Sequence, residues 1–141
     1  MSNSILIEKM NQALGWELRA INMYAHYSAN VRGIHRLQLS PLFNTEMTES
    51  VTHADIVRKG IVQIGGIPVT ERNGHEITHT TNYLEMLNYS LETEAKAAEV
   101  YCELLELIER INEQDLFDSI EQIYLSELRS LEELRLLVDE S

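Results

Sequence analysis

Leu6, Met10, Ala13, Glu17, Ala20, Tyr24, Tyr27 and Val31 recur at spacings of three or four residues, the period of one face of an α-helix. They predict a helix from about Ser4 to Val31 whose apolar stripe holds one glutamate. Phe43, Met47, Ser50, Ala54, Val57, Ile61 and Ile64 mark a second helix, with Ser40 as its expected N-cap, Pro41 in its first turn and Gly65-Gly66 as its stop. Leu84, Leu87, Leu91, Glu94, Ala98, Tyr101 and Leu105 mark a third, and Ile120, Tyr124, Glu127, Leu131, Leu134 and Val138 a fourth, after a polar turn around Asn112. Four amphipathic helices of roughly 25 residues, each about 38 Å long, suit a bundle.

Loop lengths predict the connectivity. Short links after the first and third helices make antiparallel hairpins. The stretch GGIPVTERNGHEITHTT, from Gly65 to about Thr81, lacks a sustained helical period and is long enough to travel the bundle's length, so that the third helix starts parallel to the second. The expected fold is all-α: an antiparallel four-helix bundle with one long crossover between helices 2 and 3. No repeat, low-complexity tract or Pro/Ser-rich linker divides residues 1–141, which are read as a single domain.

Acidic residues outnumber basic ones by 23 to 11, for a formal charge of −12. That balance opposes broad contact with phosphate backbones or anionic membranes. No apolar run approaches the roughly 20 residues of a membrane span. Neither nucleic acid nor membrane is expected as a partner. The single Cys102 has no internal partner, and MSNSILIEKMNQ lacks signal-peptide character, so a cytoplasmic location is expected.

Glu17, Glu94 and Glu127 stand where the helical stripes call for apolar side chains. An isolated buried carboxylate costs several kcal/mol unless neutralised or paired. The inward positions supply no obvious Lys or Arg, whereas His53 falls close to the inward stripe of the second helix. One imidazole and three carboxylates at similar height suit a divalent metal such as iron, manganese or zinc. The alternative is a hydrogen-bonded core histidine with glutamates turned outward at the stripe edges.

The fragments ALGWELRAINMYAHY, ESVTHADIVRKGIVQIGGIP, SLETEAKAAEVYCELL and SELRSLEELRLL resemble the ferritin-like superfamily, and within it the bacterioferritins. The likeness covers nearly the whole chain. It implies a ferritin-like bundle with Glu17, His53, Glu94 and Glu127 as metal ligands and catalytic residues, and Tyr24 as the tyrosine beside them. Two departures stand out. Ser50 replaces the bridging glutamate of the Glu-x-x-His motif in helix 2, and Ser130 replaces the histidine of the corresponding motif in helix 4. The loss falls on the second metal position, leaving Glu17, His53 and Glu127 for one ion. Glu49 is rotated about 100° from the missing bridge, and Glu46 lies two turns from His53, so neither is expected to substitute. No haem is expected, because Val51 stands where bacterioferritins place the haem methionine.

ANVRGIHRLQLSPLF also resembles the miniferritins that protect DNA in starved cells. There the resemblance implies an inter-subunit metal site, but Ser28, Ser40 and Lys59 replace three of its ligands and only Asp55 matches. What the likeness implies overall is an iron-binding protein that takes Fe(II) into the bundle centre, with oxygen or peroxide as oxidant in ferroxidase, storage or detoxification chemistry. The competing reading is a catalytically inactive ferritin-like shell subunit or helical interaction protein. A homo-oligomer or mixed shell is expected, with Leu37, Leu39 and Leu42 as exposed contact residues.

Overall fold

The computed structural model describes residues 2–139. Four α-helices, Ser2–Asn30 (α1), Arg36–Gln63 (α2), Tyr83–Glu109 (α3) and Gln114–Val138 (α4), build the described chain without a strand. α1 and α2 pack as one hairpin and α3 and α4 as the other, with α1 also against α3 and α2 against α4. This is the four-helix bundle predicted by the periodicity. No helix of the described residues is long and apolar enough to cross a membrane.

The crossover climbs α1 in register. Asn11 Nδ2 donates to the Ile67 carbonyl at 3.0 Å, the Asn73 amide to Gly15 O at 3.2 Å, Tyr27 Oη to Thr78 O at 2.8 Å, and the Arg32 amide to Thr81 O at 3.3 Å. Each step up the helix therefore meets a later residue of the loop, and α3 begins at the end where α2 began. Arg19 fixes the middle of this path. It donates to the carbonyls of His75 (3.2 Å) and Glu76 (2.7 Å) and to Thr93 Oγ1 of α3 (2.7 Å). Its guanidinium also lies 5.5 Å from the centre of the Trp16 ring, which stacks on His75.

The start of α2 differs from the sequence expectation. The helix begins at Arg36, directly after a turn in which Gly33 has φ +99°, and His35 O accepts from the Gln38 and Leu39 amides. Ser40 is therefore inside the helix and caps nothing. Its hydroxyl donates instead to Ser28 O of α1 at 2.9 Å, while Ser28 Oγ returns a bond of 2.9 Å to Ser40 O. Pro41 is likewise interior, the sixth residue of α2, and its missing amide leaves the Leu37 carbonyl without a helical donor on an exposed face. The earlier start also turns Leu39 inward, so it is buried rather than a surface contact, Leu42 is half-buried, and Leu37 alone of the three is exposed.

The stop of α2 follows the sequence. Gly65 takes φ +88°, the Gly66 amide reaches Ile61 O at 2.8 Å and the Gly65 amide reaches Val62 O at 3.0 Å, which satisfies carbonyls the helix leaves unpaired. At the start of α3, the Asn82 side chain accepts from the Glu85 amide at 3.0 Å.

Two apolar clusters fill the bundle. One contains Leu6, Met10, Val57, Ile61, Tyr101, Leu104 and Ile120. The other contains Met23, Tyr24, Tyr27, Phe43, Met86 and Leu134. Between them lies a polar layer drawn from all four helices: Glu17, Ser50 and His53, Thr93 and Glu94, and Ser126, Glu127 and Ser130. Full burial of each large apolar side chain contributes about 1.5–3 kcal/mol. The two clusters thus hold in place a layer that the hydrophobic effect alone would expel.

Candidate metal centre

Glu17, Glu94 and Glu127 are 2%, 3% and 3% exposed, so each helix stripe carries its carboxylate into the interior. His53 is half-buried, with Nδ1 3.2 Å from Glu127 Oε1 and 3.6 Å from Glu17 Oε2. One ligand atom from each of Glu17, His53 and Glu127 lies within 4.8 Å of the others. Glu94 adjoins this trio and interacts electrostatically with Glu17, His53 and Glu127. Two tyrosines fix the carboxylates from opposite sides. Tyr24 Oη donates to Glu94 Oε1 and Tyr101 Oη to Glu17 Oε2, both at 2.6 Å.

Burial drives the electrostatics of this layer. It holds the Glu127 carboxyl well above the usual range, with the neighbouring charges of Glu17 and Glu94 adding to the effect. Glu94 is raised for the same first reason, against the hydrogen bonds it receives. Burial pulls the His53 imidazole down, but the hydrogen bond and charge of Glu17, together with Glu49 and Glu94, outweigh it and raise the ring overall. Among the described residues, no lysine or arginine ion-pairs with Glu17, Glu94 or Glu127. With no other cation beside them, Glu94 and Glu127 are biased toward their protonated forms.

Two further carboxylates enter the layer. Glu46 Oε2 accepts from Ser130 Oγ at 3.2 Å, and Glu49 Oε1 accepts from Ser126 Oγ at 2.9 Å. Burial, then the charges of Glu94 and Glu49, push Glu46 up to about 7. Neither joins the trio of Glu17, His53 and Glu127. Spacing along α2 alone does not show that the small serines of α4 leave room for these long side chains to cross between the helices. The signal available in the sequence was the pairing of Ser126 and Ser130 on one face of α4, opposite two acids.

The donors present fit a divalent metal. Carboxylate oxygens and one imidazole nitrogen converge in a space enclosed by apolar side chains, and a cation there would compensate the charges whose burial otherwise favours protonation. An open groove of about 330 Å³ between α2 and α4 reaches His53, lined also by Thr52, Ile56, Gln122, Ile123 and Arg129. The residues weighed from the sequence for another cation site are engaged within the chain. Ser28 and Ser40 bond to one another, and Asp55 is engaged by Lys59 at 2.9 Å.

Comparison with known proteins agrees with this architecture. The model of the ferritin-like domain family matches residues 7–140. A ferritin-like, diiron-carboxylate protein from Bacillus anthracis str. Ames is 30% identical, with 99% of each chain covered and a TM-score of 0.93. A Dps protein from Bacillus brevis shares the fold at 15% identity, covering 98% of this chain and 97% of that one with a TM-score of 0.90. The dodecameric thioferritin of Bacteroides fragilis, a bacterioferritin-related protein, shares it at 23% identity, covering 96% and 84% with a TM-score of 0.84. No curated protein matches significantly. With its bundle, its long crossover and a family match along almost its whole length, the chain belongs to the ferritin-like domain family.

Proposed function

We propose that the chain binds Fe(II) in the bundle centre through Glu17, His53 and Glu127, with Glu94 adjoining, and promotes its oxidation by oxygen or peroxide in iron storage or detoxification. The observation that carries this reading is the convergence of two buried carboxylates and one imidazole within 4.8 Å, without a lysine or arginine to neutralise them. The similarity to a diiron-carboxylate protein from Bacillus anthracis supports iron as the metal. Carboxylates favour Fe(III) over Fe(II), which supplies driving force for oxidation. In the metal-free protein the raised His53 favours its charged form beside the carboxylates. A metal takes the ring in its neutral form, so binding is coupled to loss of a proton. We infer assembly into an oligomer, in keeping with the dodecameric thioferritin of the same fold.

Anaerobic Fe(II) titration followed by admission of oxygen tests the reading. Saturable binding and oxidation above the buffer rate are expected, with binding weakened at least about tenfold in His53→Ala and Glu127→Ala. No saturable binding in the unaltered protein overturns the proposal.

A second reading is favoured by Ser50 and Ser130, which offer hydroxyls where the bacterioferritin pattern has strong ligands. On that reading the chain is a shell subunit or helical interaction protein without a working centre. Metal content unchanged in both Glu17→Ala and Glu127→Ala supports it, whereas loss of metal in both removes it.

A further inference from the structure

The trio at the centre is supported by a tyrosine other than the one the bacterioferritin resemblance points to. Tyr24 donates to Glu94, outside the trio, but Tyr101 Oη donates at 2.6 Å to Glu17 Oε2, inside it. Tyr101 is fully buried in the apolar cluster on one side of the polar layer. Its phenol has one immediate proton acceptor, the carboxylate of Glu17.

We propose that Tyr101 supplies the second electron when hydrogen peroxide is reduced at this centre, which lets a site holding one Fe(II) avoid releasing hydroxyl radical. This rests on the iron-binding reading given above. Reduction of hydrogen peroxide to two waters takes two electrons and two protons. One Fe(II) gives a single electron and becomes Fe(III); left there, the O–O bond breaks to hydroxide and free hydroxyl radical. Tyr101 gives the other electron, and its hydroxyl proton passes to Glu17 Oε2, which relays it to the reduced peroxide oxygen and returns to its carboxylate form. Fe(II), the Tyr101 phenol, one peroxide and one proton from solvent thus yield Fe(III), a neutral Tyr101 radical and two waters. A later Fe(II) with one proton reduces the radical back to the phenol. Over the full cycle two Fe(II) are oxidised for each peroxide, in sequence, without two ions needing to sit together.

The choice of tyrosine follows from connectivity. Electron and proton leave Tyr101 by way of the carboxylate it touches, and that carboxylate is one of the three groups able to grip the same ion. Tyr24 lacks that link, because the carboxylate it touches, Glu94, is not one of the three.

Freeze-quench electron paramagnetic resonance on the full chain, loaded anaerobically with one Fe(II) per chain and mixed with one equivalent of hydrogen peroxide, tests this. A tyrosyl signal is expected that narrows when the protein carries ring-deuterated tyrosine. It persists in Tyr24→Phe and is lost in Tyr101→Phe, where a spin trap now captures hydroxyl radical. Anaerobic Co(II) binding, measured on every variant, separates the two levels of the argument. No binding by the unaltered protein overturns the iron-binding reading and this proposal together. Intact binding with no tyrosyl signal, or with a signal lost in Tyr24→Phe and kept in Tyr101→Phe, overturns this proposal alone. Helix content and Co(II) binding retained in Tyr101→Phe show that loss of the signal reflects the missing hydroxyl rather than a damaged fold.

Discussion

Ser130 of α4 donates to Glu46 of α2 at 3.2 Å, across the interior of the bundle. The contact draws a fourth helix-borne acid toward the layer that holds Glu17, Glu94 and Glu127. Its carboxyl is pushed up to about 7, chiefly by burial. A raised carboxylate is fully stabilising only below its unfolded value near 4.5, and that stability is lost as pH rises toward the folded value near 7. After allowance for partial exposure, the change is on the order of 2 kcal/mol. Metal-free protein is therefore expected to melt at lower temperature at pH 8 than at pH 5. Glu46→Gln flattens that decline by about 4–8 °C. Thermal unfolding in chelator across this range checks the expectation, and an unchanged slope in Glu46→Gln rejects it.

Metal uptake is coupled to proton release. Burial raises Glu94 and holds Glu127 well above the usual carboxylate value, and His53 is raised by Glu17, while each must be deprotonated to act as a donor. Binding is accordingly expected to tighten as pH rises from 5 to 8. Calorimetric titration with Co(II) in buffers of different ionisation enthalpy should give about one or more protons released per ion. Heats independent of buffer identity would contradict the coupling.

Glu127 exchanges stability for binding. Without metal it is a buried acid whose ionisation is opposed by burial and by two neighbouring acids, and replacing it with glutamine removes that cost at high pH while keeping the shape. Glu127→Gln is expected to stabilise the metal-free chain by about 1 kcal/mol or more. The same variant should lose most of the thermal stabilisation that saturating Co(II) gives the unaltered protein, which at a hundredfold excess over the dissociation constant is about 2.7 kcal/mol. Paired denaturation curves with and without Co(II) measure both effects.

Arg19 governs the crossover. Its bonds to His75 O, Glu76 O and Thr93 Oγ1 are charge-assisted, and losing them costs about 1.5–3 kcal/mol. Arg19→Ala should lower stability by that amount. Amide exchange should accelerate first around residues 73–78, ahead of the helices. Uniform acceleration through all four helices would assign Arg19 to the core instead.

Much of the bundle is legible in the sequence because a helical stripe depends on local spacing. All eight inward residues of the first predicted stripe, from Leu6 to Val31 just past the end of α1, are buried, and Gly65 carries the positive φ that ends α2. The beginning of α2 was harder to read. Ser40 and Pro41 are both residues that start helices, yet the hydroxyl of Ser40 finds a better partner in Ser28, twelve residues away.

Sequence alone determined that four amphipathic helices form, how their short and long loops order them, and which stripe positions hold acids, since all of these follow from periodicity and turn chemistry within one segment. Only the tertiary structure decided which groups meet. The distances from His53 Nδ1 to Glu17 and Glu127, the bond from Tyr101 to Glu17, and the reach of Glu46 and Glu49 to Ser130 and Ser126 join residues on different helices. Their formation depends on how helices rotate and how much room small side chains leave, and no spacing along a single helix encodes either.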